Sequence, residues 1–456
     1  FIYSEIYYKY YKNIEKATRY FIKGLNLCFN NDKDKIIPKI TSSYSQCYYD
    51  NAIKDSLYVY IDLCPKITDI INSSNISITE IHKYYKLING LFYSNIKETL
   101  KIGYISSHFF KNTSIEFILP ILENHNKEKC KTYIYNVNTF NIDDDITKKI
   151  SDLSYSYNVF DITKDTIFSD IQNEIFKDDL DILVCLDTYS SYNPVYLILN
   201  RKLANTQVTY LGNKWTTLIK NFDYKIIDTQ SIPNETNQKY YSESLITMPK
   251  SYICWKPFID KVENTYETQW INHVLCNFSI NELSQVMIEC LKAILKNNLK
   301  MILYFKTHNE NDIKTLKEIF DKNADQIEYI NIKSQEEFYK SFSKYDLAID
   351  SYPCNSNIGI LQSLYNDCPI LTLVGEQEYS KIGKSILTTI GCEELIAHSK
   401  KELVQKVNEL LNNKDKLQDY RKNLFNSLKK SIIMDHKEFT KQLEEIYFIM
   451  KIDCLK

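Results

Sequence analysis

The sequence predicts an α/β chain made of two Rossmann-like halves, preceded by a short all-α segment. Three observations predict it. From Leu100 onward, short apolar runs of strand length alternate with stretches of helical periodicity. The alternation fails around Pro249–Trp270 and then resumes. Before Leu100, apolar and aromatic positions recur at three- and four-residue spacing with no strand alternation.

Taken in order, residues 1–97 read as helical. Asn13–Leu27 places Ala17, Phe21 and Gly24 on one helical face, as in the second helix of a tetratricopeptide repeat; a plain helical hairpin fits one partial unit equally well. Residues 98–250 form the first half. Its strands are expected at KIGYISSHF, CKTYIYNV, SYNVFDI, DILVCLD, TQVTYLG, DYKIIDT and SLITMP, with helices near Ser114–Leu122 and in IFSDIQNEIF. Residues 251–272 read as a linker. Residues 273–430 form the second half, with strands at HVLCNFS, MILYFKT, IEYINI, DLAIDSYP and PILTLVG, helices between them, and only helices afterwards. Residues 431–456 form a closing helix. In parallel units of this kind, ligands sit beyond the carboxyl ends of the strands.

Composition excludes several classes. Eight glycines in 456 residues leave no glycine-rich phosphate loop, and neither nucleotide fingerprint occurs. The enriched residues are those of AT-rich codons, so the bias reads as genome composition. Basic and acidic residues number 56 and 58, a net charge of −2, which gives no electrostatic footprint for nucleic acid. No apolar run reaches the length of a membrane span, and no basic block marks a membrane surface. Twelve cysteines without a C-x-x-C pair, mostly inside apolar runs, read as free thiols in a reducing, cytoplasmic setting. The seven histidines show no ligand spacing, so no metal is expected. Asp179-Leu180-Asp181 reads as strand capping, and Asp143-Asp144-Asp145 as a loop and helix N-terminus. A chain that begins with Phe reads as a fragment or a processed form.

Several blocks occur in one colinear order: KIGYISSHF (Lys101–Phe109), DILVCLDTYS (Asp181–Ser190), QVTYLG (Gln207–Gly212), DYKIIDTQSIP (Asp223–Pro233) and YYSESLITMP (Tyr240–Pro249). The strongest is Asp346–Ala397, with its Pro-Cys-Asn turn, Gly-Glu pair and Gly-Cys-x-Glu-Leu-Ile-Ala close. In these blocks the chain resembles the catalytic region of glycosyltransferase family 41, the O-GlcNAc transferase and SPINDLY group. The resemblance implies a GT-B fold, an intracellular protein, a UDP-sugar donor, no metal or other cofactor, and Ser/Thr hydroxyls of proteins as acceptors.

The same resemblance places the site residues. Asn112 stands where the family carries its base, and His108, at the family's Asp, is either a substitute base or a turn His beside the strand end. The segment Cys276–Gln285 lacks the family's diphosphate-steadying Lys, and Lys306 at the next strand end is either a replacement cation or a solvated surface lysine. The donor-binding set is Gly212, Lys306, Phe338, Asn355, Ser356, Asn357, Ile358, Gly359, Gln362 and Lys381. Within it, Ser356, Asn357, Ile358 and Gly359 replace Gly-His-Thr-Thr at a helix start, Gln362 replaces the ribose-binding Asp, and Phe338 takes the place of a uracil-stacking His. Trp215 and Leu218 replace small residues of the sugar loop and are expected to fill the donor pocket. Three functions follow: a transferase with a remodelled donor site, binding a nucleotide sugar and a protein or peptide acceptor; a catalytically inactive GT-B scaffold acting as a binding or regulatory module; or a structural subunit whose helical N-terminus carries the interaction. The helical N-terminus is expected to carry a protein partner.

Overall fold

The computed structural model describes residues 99–453, apart from 163–165, 189–192, 234–238, 263–271, 308 and 332–333. The helical segment expected over 1–97 lies outside the described residues. Lys97–Tyr447 is one compact unit and holds both sheets; Phe1–Ile96 with Phe448–Lys456 forms another.

The first half runs β1 (Leu100–Ser106), α1 (Ile115–Asn124), β2 (Cys130–Asn138), α2 (Asp145–Leu153), β3 (Ser156–Asp161), α3 (Phe168–Lys177), β4 (Leu180–Cys185), α4 (Val195–Ile198), β5 (Ala204–Thr209), β6 (Tyr224–Asp228) and β7 (Ser244–Met248). The sheet order is β3-β2-β1-β4-β5-β6-β7. Its pairs are parallel. β1 and β4 are the central pair; past half-buried Lys101 and Asp181 near their starts they are buried on both faces, which is why Ile102–Ile105 and Ile182–Cys185 lack polar alternation. Asp144 caps α2, accepting from Ile146 and Thr147, as the acidic run leads one to expect.

The second half runs β8 (Asn272–Ser279), α5 (Gln285–Asn297), β9 (Met301–Lys306), α6 (Glu310–Phe320), β10 (Ile327–Ile330), α7 (Gln335–Ser341), β11 (Leu347–Ile349), α8 (Asn357–Tyr365), β12 (Ile370–Leu373), α9 (Ile382–Thr389), β13 (Ile396–Ala397), α10 (Lys400–Leu411), α11 (Lys414–Lys430) and α12 (His436–Asp453). Its sheet order is β10-β9-β8-β11-β12-β13. The expectation of helices alone after β12 is corrected by β13. Two residues are too few for any periodicity, and only pairing with Thr372 and Leu373 makes them a strand.

The segment expected as a linker is core at its start, since Ser251 to Trp255 are all buried. Trp255 donates its indole N–H to Glu116 Oε2 at 3.0 Å, and its amide bonds Ile433 O at 2.9 Å. The closing helix returns to the first half: His125 Nδ1 lies 2.8 Å from Glu444 Oε1, and Tyr104 and Tyr447 share a hydroxyl contact of 3.2 Å. The halves are pinned by a fully buried pair, Lys225 and Glu378, at 3.3 Å. Burial pushes the Glu378 carboxyl up to about 7, and the Lys225 ammonium offsets only part of this.

Candidate functional site

Both sheets have their topological switch at the central pair. β2 and β3 lie to one side of β1 and the later strands beyond β4; β9 and β10 lie to one side of β8 and the later strands beyond β11. The segments leaving these strands at their carboxyl ends therefore diverge and leave a crevice.

At the first switch, Ile105 is in register with Cys185, so the residues after β1 and β4 meet. Asp187 is buried there and accepts from the Ser106 hydroxyl, from Ser107 N at 2.9 Å, from Ser107 Oγ at 2.6 Å and from Asn193 Nδ2 at 2.7 Å. His108 Nδ1 lies 3.4 Å from Asp187 Oδ1 and 3.0 Å from Ser107 Oγ. Burial alone would raise the Asp187 carboxyl. The donors from His108, Ser106, Ser107 and Asn193 outweigh it and hold the group below its ordinary value. The His108 ring is 37% exposed and lies beside Phe110 and Phe140, at 6.0 and 5.1 Å between centroids.

Asn112 is committed locally. Its Nδ2 donates to His108 O at 3.0 Å and Phe110 O at 2.8 Å, and its Oδ1 accepts from Ser114 N and Ile115 N. Each polar atom of the side chain thus serves the turn into α1.

At the second switch, Ser356 caps α8: its Oγ accepts from Gly359 N at 3.1 Å, and its own N–H bonds Asp350 Oδ1 at 2.9 Å. Asn357 and Ile358 supply the remaining first-turn N–H groups, which have no partner within a helix. Gly359 is required because a Cβ there would meet Asn277 O at 2.3 Å, where α8 crosses β8. Asn355 is fully buried, donates to Ser351 O and accepts from Gly383 N, so it shapes the turn rather than facing the crevice. Gln362 is buried and shares a hydrogen bond with the Tyr339 hydroxyl.

Lys306 and Phe338 come together, the ammonium 4.7 Å from the ring centroid. Phe338 is 1% exposed and packs on Phe342 at 4.8 Å. Burial lowers the Lys306 ammonium from its ordinary value. Lys381 is spent across the halves, donating to Ile232 O at 2.8 Å.

The loop after β5 joins the two switch points. Gly212 packs directly on the backbone of Leu186 and Asp187, where a Cβ would meet Leu186 O at 2.2 Å. Two residues on, Lys214 Nζ reaches Asn355 O at 2.8 Å, with Cys354 Sγ at 3.4 Å. Trp215 lies 5.8 Å from Tyr379 and is 42% exposed. Leu218 is 75% exposed at φ 57°, so it projects into solvent and fills no space, contrary to the pocket-filling role expected of it. Asp187 and Lys214 are the residues that sequence reasoning did not single out. Asp187 sits unremarked inside the DILVCLDTYS block and Lys214 lies in no quoted block, and both gain meaning from neighbours far away in the chain.

Among the described residues, His125, Cys130 and Glu444 bring ligand-type atoms within 4.8 Å of one another. Both ring nitrogens of His125 are already engaged, by Glu444 and by the Tyr104 hydroxyl at 2.9 Å, so His125, Glu444 and Tyr104 form a buried hydrogen-bond network beside Cys130. The eight described cysteines are free, seven of them buried. No described helix is long and apolar enough to cross a membrane.

Residues 74–257 and 261–443 match the model of glycosyl transferase family 41. The chain is 26% identical over 367 residues to the probable UDP-N-acetylglucosamine--peptide N-acetylglucosaminyltransferase SPINDLY of Hordeum vulgare, covering 76% of this chain and 38% of that protein. It is 24% identical over 369 residues to the corresponding probable enzyme SEC of Arabidopsis thaliana, covering 77% and 37%. The chain thus spans well under half the length of these curated relatives. The structure of a Thermobaculum terrenum O-GlcNAc transferase mutant superposes with a TM-score of 0.71 at 18% identity, over 91% of this chain and 82% of that one.

Proposed function

Because the chain belongs to glycosyl transferase family 41, we propose that it carries the catalytic region of an O-GlcNAc transferase-like enzyme, moving a sugar from a UDP-linked donor to a Ser or Thr hydroxyl of a protein. One observation carries this reading: the Gly212–Leu218 loop ties the polar cluster after β1 and β4 to the start of α8, so acceptor-side and donor-side groups share one crevice. A leaving diphosphate needs positive charge and aligned N–H donors. Here Lys214 and the first turn of α8 supply them, with Ser356, Asn357, Ile358 and Gly359 in the positions inferred for donor contact. His108 stands on the acceptor side. In this reading the protein works inside the cell, and the segment before Leu100, whose sequence carries a helical pattern, recruits protein partners.

A second reading, an inactive scaffold that binds without transferring, draws on two observations. Phe338, at the nucleobase position, is covered by Lys306. Asn112, at the position of the family base, is wholly engaged in its turn. Titration of the full chain with UDP, UDP-GlcNAc and UDP-glucose separates the readings, by thermal shift and by UDP release. Saturable binding with sugar-dependent release supports transfer. Binding without release supports the scaffold, and no response to any of the three contradicts donor use altogether.

A further inference from the structure

We infer that Asp187 and Ser107 lock His108 in a single tautomer, which makes its Nε2 the proton acceptor for the incoming hydroxyl. The inference rests on the transferase reading and goes beyond it by assigning a positioning role to two residues outside the inferred donor set.

Asp187 offers only acceptors when ionised, and its surroundings hold it in that form. Oδ2 takes Ser107 N, Ser107 Oγ and Asn193 Nδ2, while Oδ1 takes the Ser106 hydroxyl. The single hydroxyl hydrogen of Ser107 is therefore spent on Asp187 at 2.6 Å. What faces His108 Nδ1 is then a Ser107 lone pair at 3.0 Å and a carboxylate oxygen at 3.4 Å. Both are acceptors, so Nδ1 must carry the hydrogen. The neutral ring keeps its basic lone pair on Nε2.

Three further features place that lone pair usefully. No described residue bonds Nε2, and the ring is 37% exposed. The cluster stands at the switch point of the first sheet, where β1 and β4 end in register. The backbone is fixed as well, since His108 N bonds Ser106 Oγ at 3.0 Å and His108 O accepts from Asn112 at 3.0 Å. Asn112 thus helps to hold the residue that does the work assigned to its own position in the family.

The step balances simply. The acceptor oxygen forms a bond to the anomeric carbon, and its proton moves to Nε2. The bond from that carbon to the diphosphate oxygen breaks, and the electron pair leaves with UDP. The resulting imidazolium faces Asp187, whose negative charge stabilises it.

The test uses the full chain with 15N-labelled histidine and two readouts. Long-range 15N–1H spectra are expected to show neutral His108 protonated on Nδ1 and bare on Nε2. Asp187→Asn, which sets an N–H group where the ring needs an acceptor, should displace that signature. In UDP-release assays Asp187→Asn and His108→Gln should each lower kcat about 100-fold or more, with the donor KM little changed. The double variant should lose little more than either single one, because the two residues act as a unit. Should Asp187→Asn fail to fold, His108→Gln, whose ring lies at the surface, carries the kinetic arm. A wild-type ring protonated on Nε2, or a kcat within threefold of wild type in His108→Gln, overturns the inference. Failure of the transferase reading looks different: no UDP release from wild type, with the tautomer signature intact.

Discussion

The Lys306 ammonium lies 4.7 Å from the centre of the Phe338 ring, and that ring is 1% exposed. A base stacked on Phe338 must displace this lysine. Lys306→Ala is therefore expected to strengthen uridine binding severalfold if the ring is the base platform, and to leave it unchanged if Phe338 serves only as core. Calorimetric titration with uridine and UDP decides between them. In either case Phe338→Ala should cost about 3–5 kcal/mol in denaturant unfolding, the usual penalty for removing a buried aromatic ring.

Lys214 supplies charge at the start of α8 in this account. Lys214→Met should weaken UDP binding about tenfold, or about 1.4 kcal/mol. Uridine affinity should barely move, because uridine has no diphosphate. Lys214→Arg should restore most of the difference. Equal losses for uridine and UDP would mean that the residue only holds the halves together.

Gly359 lets α8 lie against β8. A methyl group there meets Asn277 O at 2.3 Å, and backbone cannot swing aside. Gly359→Ala should destabilise the protein by about 1–3 kcal/mol. It should also weaken UDP binding, because Asn277 Nδ2 bonds Gly359 O at 2.7 Å and the helix start moves with that contact. Urea unfolding and the UDP titration check the two effects separately.

Asp350 gives a pH dependence. Burial pushes its carboxyl up to about 7, only partly offset by bonds from Ser356, Thr372 and Ser351 and by the Lys214 charge. The folded group then binds a proton that the unfolded group has already released. Its contribution to stability is full below the ordinary Asp range near 4 and declines as pH rises towards 7. Asp350→Asn should flatten that part of the stability profile, as read from urea midpoints between pH 4 and 8.

Much of this architecture is legible in the sequence, for a physical reason. The doubly buried part of a parallel strand, such as Ile182–Cys185, must be apolar, and the helices between strands must carry one apolar stripe, so the alternation survives strong drift in composition. β13 escapes because two residues have no period. The site is less legible. His108 can be noted from the family pattern, but Asp187 lies 79 residues away, and nothing local says that the two side chains meet. Lys214 is one lysine among many until the fold sets it 2.8 Å from Asn355 O, 141 residues on. Leu218 misleads in the opposite direction. Large residues in place of small ones imply a filled pocket, yet this loop turns Leu218 outward at positive φ.

The central claim is that the crevice between the two switch points still transfers sugar. The most direct measurement is UDP release by the full chain, supplied with a panel of UDP-sugars and Ser/Thr-containing acceptor peptides, with the peptides then weighed by mass spectrometry. The account predicts release over many turnovers with at least one donor, a matching sugar mass on a Ser or Thr, and loss of both in His108→Gln. Absence of release and of added mass with every donor, from protein that is folded and binds UDP, would contradict it and leave the scaffold reading in its place.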